Sequence, residues 1–400
     1  MSELLLTGIG ELTTNTGDPI AEAAVKVRNG SVVFAGPEGD APEQGGATHI
    51  DCQGRAVIPG LVDAHTHLVF GGDRAGEFSM KMRGASYSEI AASGGGILST
   101  VRTTRASTEE QLFESAARRA RRMMATGTTA VEIKSGYGLD VETELTMLRV
   151  AKRIGEELPL TVRTTFLGAH AVPSEYGRDH ARYVDHVVEE MLPAAAPFAD
   201  YCDVFVEDGA FSVDEARRIF EAAKAHGLAA RIHAEQLTRS GGAALAAEIG
   251  AASADHLDHV TEADADSLAR AGVVAVLVPG ASYTLRARQA PGPMLLDHGV
   301  VVALATDCNP GTSYFESMGL VMSLAVVQMG LTTEQAIHAA TRGGALSLGL
   351  DGHGLLAPGS AGDMVILDAP SAAHIPYRPG TNLTWKTVRA GAVVAGNVDG

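Results

Sequence analysis

Cysteine is scarce: Cys52, Cys202 and Cys308 are the only three in 400 residues. An odd number with no close pairing argues against a disulfide framework and for a reducing compartment, so a cytoplasmic location is expected. Positive charge is also short, with Lys and Arg at 31 against Asp and Glu at 48, a formal net charge of −17. Phosphate contacts need a basic stripe, and none is visible, so neither nucleic acid nor an anionic membrane is an expected partner. No apolar run approaches the roughly 18 residues of a spanning helix. The opening MSELLLTGIGELTTNTGD lacks the basic start and long apolar centre of a secretory signal. What the chain does have is 46% hydrophobic residues, which is a globular value, and 46 glycines, enough for many tight turns.

The two ends differ from the middle. Residues 3–57 read as short strands with an Asn29-Gly30 hairpin signal, and GDMVILDAP and LTWKTVRAGAVVAG near the C-terminus resemble them. Segments 1–57 and 357–400 are therefore expected to combine into a small β-sandwich. Between them, over 58–356, apolar strands alternate with amphipathic helices. Eight strands are expected, at 57–65, 128–135, 160–168, 201–207, 228–234, 252–258, 273–279 and 300–307. Helices fall at TEEQLFESAARRARRMMA, closed by Gly127, and SVDEARRIFEAAKAH, closed by Gly227. The count and length fit an α/β (β/α)8 TIM-like barrel. A doubly wound sheet is the main competitor, but the turn after the first strand, AHTHLVFGGD, lacks its glycine fingerprint.

Polar residues fall at the strand ends. His65 and His67 end the first strand and Lys134 the second, with Tyr137 just beyond. His170 follows the third, Glu207 ends the fourth, His233 the fifth, His256 the sixth and Asp307 the eighth. A parallel barrel gathers its strand C-termini on one rim, where active sites are built. His65 and His67, two apart on a strand, project to the same side. With His233 and Asp307 they make a three-His, one-Asp set suited to zinc or iron, with a position left for water. An isolated His-x-His pair would be incidental; the matching residues on other strands favour metal ligation.

VIPGLVDAHTHLVF, an isolated strand-end histidine and a final ATD resemble the amidohydrolase superfamily, metal hydrolases on this barrel with a flanking β-domain. Narrower motifs are FGGDRAGEF, IKSGYGL, TFLGAHAVP, HAEQL, SADHLDH and TDCNPGT. They are similar to those of members that open the cyclic amide of 4-imidazolone-5-propanoate to N-formimidoyl-L-glutamate in histidine degradation. The resemblance implies one Zn2+ or Fe3+ per subunit, held by His65, His67, His233 and Asp307, and a small anionic substrate. Bound metal lowers the pKa of water from about 15.7 toward 7. Asp307 would move the proton to the departing nitrogen, and His256 would stabilise the oxyanion.

Arg74 is assigned to the propionate carboxylate, since a guanidinium grips a carboxylate with two parallel bonds. Tyr87, Tyr137, His170, Asn309, Gly311 and Thr312 would contact substrate by resemblance; without it, the 309–312 loop reads as structural. Gln236 stands where some relatives carry Glu, so it is assigned to binding only. Lys134 lies on the second strand, not the fourth where binuclear relatives carry a bridging lysine, so one metal is expected.

The run RRARR at 118–122 is expected to be a solvated helix face. The apolar stretch 320–330 is expected to pack on the barrel, with a homodimer interface as its other use. A nucleobase deaminase or cyclic-imide hydrolase is the near alternative, and a non-catalytic scaffold with a structural metal the remote one.

Overall fold

The computed structural model describes residues 3–85, 89, 94–177 and 179–396. At the N-terminus β1 (Glu3–Leu12), β2 (Ile20–Arg28), β3 (Ser31–Pro37), β4 (Thr48–Asp51) and β5 (Ala56–Pro59) come first. The barrel strands follow: β6 (Leu61–Asp63), β7 (Thr128–Lys134), β8 (Thr161–Ala169), β9 (Tyr201–Val206), β10 (Ala229–Ala234), β11 (Ser253–His256), β12 (Val274–Leu277) and β13 (Val302–Leu304). Last come β14 (Met364–Leu367), β15 (Thr384–Arg389) and β16 (Ala392–Gly396).

Strands β6 to β13 pair in sequence order, every neighbour parallel, as right-handed βα units require. Every position of β7 and β12 is buried; β12 is accordingly an unbroken apolar run, whereas β7 carries Glu132 and Lys134 into the interior. The ladder is closed at its ends by four hydrogen bonds. Asp307 N donates to His65 O at 2.9 Å and His67 N to Cys308 O at 3.1 Å. Asp63 accepts from the Thr306 amide at 2.9 Å and the Thr306 hydroxyl at 2.6 Å.

The terminal strands form a second sheet, ordered β16-β15-β14-β5-β1-β2-β3 with β4 beside β1. It encloses its own apolar cluster, including Leu6, Ile9, Val25, Val57, Ile366 and Val388. The expected strand at 57–65 is divided: Ile58 and Pro59 still pair with β14, and the chain enters the barrel only after Gly60. A Cβ at Gly60 would collide with Thr129 of β7, so glycine allows this close crossing.

Helix starts follow their sequence signals. Thr108 and Gln111 form a capping box ahead of Glu109–Ala125, as do Ser212 and Glu215 ahead of Val213–Ala225, each cap stabilising its helix by about 1 kcal/mol. The expectation of a solvated 118–122 run fails at Arg119, which is 3% exposed. Arg119 lies seven residues after Leu112 and three after Ala116, on the helix's apolar face. Within 320–330, Val321, Met322, Ala325 and Met329 are buried against the barrel, and Val327 is exposed. Among the described residues no helix is long and apolar enough to cross a membrane.

Candidate active site

The barrel rim brings the strand-end residues together. His65, His67, His233, His256 and Asp307 are all buried. His65 Nε2 lies 3.3 Å from His67 Nε2, which lies 3.4 Å from His233 Nε2. Asp307 Oδ1 sits 3.5 Å from the first of these nitrogens and 3.4 Å from the second. Burial, and then the neighbouring cations and imidazoles, hold His65 and His67 well below the usual histidine range, so both are neutral.

Neutral rings with facing nitrogens test whether a metal fits. His65 Nδ1 meets Asp255 Oδ2 at 2.6 Å, so its proton sits there and the Nε2 lone pair faces His67. With the His67 proton on Nδ1, a second lone pair faces that of His65 at 3.3 Å, and a cation between them would take both. Nitrogens bound tetrahedrally to zinc at about 2.0–2.1 Å stand roughly 3.3 Å apart, so the spacing fits. The His65, His67 and His233 donor atoms lie within 4.8 Å of one another. Burial also holds the Asp307 carboxyl well above the usual carboxylate range, a displacement that a cation would reverse.

Beneath the imidazoles lies a cluster of charges that strand-end reasoning missed. Lys134 Nζ lies 2.8 Å from Glu132, 2.7 Å from Asp203 and 3.5 Å from Asp255. Arg231 donates to Ala64 O and Ser347 O at 2.8 and 2.9 Å, and lies 3.6 Å from Glu132 and 3.5 Å from Asp255. All five charged side chains are fully buried. Asp203 Oδ2 lies 3.0 Å from His233 Nδ1, a close contact without the aligned hydrogen bond that Asp255 makes to His65. Burial pushes the Asp203 carboxyl up, but His233 and Lys134 outweigh that and hold it well below the usual range. A signal was present: Glu132 and Lys134, Arg231 and His233, Ser253 and Asp255 are each spaced by two, on the inward side of otherwise apolar strands.

His256 reaches the rim through backbone strain. Its φ of 74° turns the ring back over the centre, 5.3 Å from His65 and 5.2 Å from His233 between centroids. Burial pulls its pKa down to about 3. The His256 Nδ1 atom is buried without a hydrogen-bond partner among the described residues. His170 stacks on His67 at 5.0 Å, with its Nδ1 3.0 Å from Gly136 O. Tyr137 packs 5.7 Å from His67 and 5.3 Å from His170. Gln236 lies at the end of the same rim, 9% exposed.

Arg74 stands apart from the imidazoles, on the wall of a cavity of about 630 Å³ that Gly311, Thr312, Tyr314 and Phe315 also line. Its Nε and Nη2 both meet Glu77 Oε2 at 2.8 Å. Its Nη1 rests on Gly311, where any Cβ would strike the guanidinium. Asn309 Nδ2 donates to Asp307 O at 2.7 Å, and its Oδ1 accepts from the Gly311 and Thr312 amides at 2.8 Å. Its amide shapes the loop that presents Gly311 and Thr312. Tyr87 lies outside the described residues. Arg119 braces the other side, donating to Leu68 O at 2.8 Å and Tyr314 Oη at 3.1 Å. It thus joins the segment after His67 to the loop after Asp307.

A model of the amidohydrolase family matches residues 56–399. The chain is 49% identical over 381 residues to the imidazolonepropionase of Myxococcus xanthus (strain DK1622), covering 94% of this chain and 90% of that one. It is 49% identical over 376 residues to the imidazolonepropionase of Methylobacterium sp. (strain 4-46), covering 93% and 94%. The 5-methylcytosine deaminase of Klebsiella pneumoniae liganded with 5-fluorocytosine gives a TM-score of 0.77 at 17% identity, covering 98% of this chain and 97% of that one, a likeness of fold alone. With its barrel, its buried imidazole cluster and this degree of identity, the chain belongs to the metal-dependent amidohydrolase family and, within it, to the imidazolonepropionases.

Proposed function

We propose that the protein hydrolyses the ring amide of 4-imidazolone-5-propanoate to N-formimidoyl-L-glutamate, with one Zn2+ or Fe3+ per subunit held by His65, His67, His233 and Asp307. The observation that carries this reading is the convergence of three buried imidazole nitrogens and one buried carboxyl oxygen at 3.3–3.5 Å contacts, a donor set that would hold a cation. An ion in this cradle supplies Lewis-acid activation of water at neutral pH. Asp307 takes the proton from the attacking water and delivers it to the departing ring nitrogen, so one C–O bond forms as the amide C–N bond breaks. His256 turns toward the carbonyl oxygen and stabilises the charge developing there.

Arg74 anchors the propionate through the guanidinium edge that Glu77 leaves open. Gly311 and Thr312 line the same cavity, and Tyr137 and His170, which pack against His67, flank the substrate ring together with Gln236. The test is the absorbance loss of freshly generated imidazolonepropionate, run beside metal quantification. Turnover that follows metal content supports the reading. A fully metal-loaded protein that leaves this substrate untouched refutes it.

A further inference from the structure

Lys134 carries no role in the chemistry above, yet its ammonium is the most enclosed charge near the centre. It stands on β7, with Glu132 on the same strand, Asp203 on β9 and Asp255 on β11. An ammonium has three N–H donors, and here each has one carboxylate. The acceptor atoms are specific. Asp203 Oδ2, 2.7 Å from Lys134 Nζ, is the atom 3.0 Å from His233 Nδ1. Asp255 Oδ2, 3.5 Å from Lys134 Nζ, is the atom 2.6 Å from His65 Nδ1. One cation therefore touches both the oxygen that bonds His65 Nδ1 and the oxygen that lies against His233 Nδ1.

We propose that Lys134 is a positioning residue for the metal centre: it sets the separation of Asp203 and Asp255, and through them the orientation of His233 and His65. The inference rests on the metal-centre reading above. The remaining acceptors of these carboxylates are also occupied. Ser253 donates to Asp255 Oδ1 at 2.5 Å, and the His233 amide lies 3.2 Å from Asp203 Oδ1. Arg231 also approaches Asp255 Oδ2 at 3.5 Å, whereas among the described residues Lys134 is the only cationic side chain against Asp203 besides His233. Outer partners of metal-binding histidines typically change metal affinity by about 10- to 100-fold when removed. Lys134 acts on two such partners at once.

The test uses the full chain as wild type, Lys134→Met and Lys134→Arg, each loaded with Zn2+ and separately with Co2+. Release of zinc to excess EDTA near neutral pH, the visible spectrum of the cobalt form and the thermal melt of the metal-free form are recorded. Zinc release about 10- to 100-fold faster in Lys134→Met, with altered cobalt bands, supports the proposal. A folded Lys134→Met with wild-type release and an unchanged cobalt spectrum overturns it.

If Lys134→Met shows no cooperative melt, Lys134→Arg decides. A planar fork keeps the charge but cannot direct single donors at the same three oxygens, so release is expected to stay fast. Wild-type release from Lys134→Arg overturns the proposal. A wild-type protein that binds neither ion would instead refute the metal centre itself, a failure separable from that of Lys134.

Discussion

The Asp307 amide donates to the His65 carbonyl at 2.9 Å, so the eighth barrel strand is tied to the first at the two residues whose side chains share the proposed ion. Ring closure and site assembly are one event at this seam. Side-chain chemistry can therefore be altered here while the backbone bonds persist.

Asp307→Asn separates the two roles. The amide side chain keeps the shape and the backbone donor but cannot take a proton. Turnover is expected to fall by about 10²–10⁴-fold, with a melting temperature close to wild type. Steady-state kinetics and a circular-dichroism melt measure the two; an undiminished rate would remove Asp307 from proton transfer.

Arg74→Ala tests which substrate the cavity accepts. Losing a charge-assisted pair is expected to raise KM for imidazolonepropionate by about 10–100-fold. A cyclic imide without a carboxylate should be unaffected. Equal indifference with both compounds would favour a nucleobase or cyclic-imide substrate.

Arg119→Met removes the brace between the segment after His67 and the loop after Asp307. Leaving Leu68 O and its neighbours without a donor should cost about 1–3 kcal/mol of stability. KM should rise while metal content stays at the wild-type level. Loss of metal instead would show that Arg119 supports the ion cradle directly.

The histidine pKa directions give the metal-free protein an acid limit. His256 is drawn from about 6.5 when unfolded to about 3 when folded, mainly by burial, so the unfolded chain binds its proton first. Its contribution is complete above the unfolded value and is lost as pH falls from there toward the folded value. The slope is about 1.4 kcal/mol per pH unit for one such histidine. Urea unfolding across mildly acid pH should show a steep fall for the wild type and a shallower one for His256→Gln. Equal slopes would contradict the assignment.

Much of this was legible in the sequence because strands buried on both faces leave long apolar runs, and each run ended in a residue capable of chemistry. His65 and His67 declared their shared direction by spacing alone. Arg119 was misread because its run of arginines suggested solvent, while Leu112 and Ala116 on the same face predicted burial. The partners of Lys134 are harder to read, because Asp203 lies four residues before the strand-end Glu207 and Asp255 one residue before His256. No pattern announces that His256 takes a φ of 74°; simple alternation would have sent its ring away from the centre. The internal bonding of Asn309 depends on a loop geometry that composition does not encode.

Strand β5 lies in the terminal sheet between β1 and β14. During synthesis its outer edge therefore stays unpaired while about three hundred further residues are made, from Gly60 to Asp363. An open strand edge is sticky, so the nascent protein carries this exposed border until β14 has been made. Truncation shortly before Met364 would leave a barrel attached to a surface prone to aggregate.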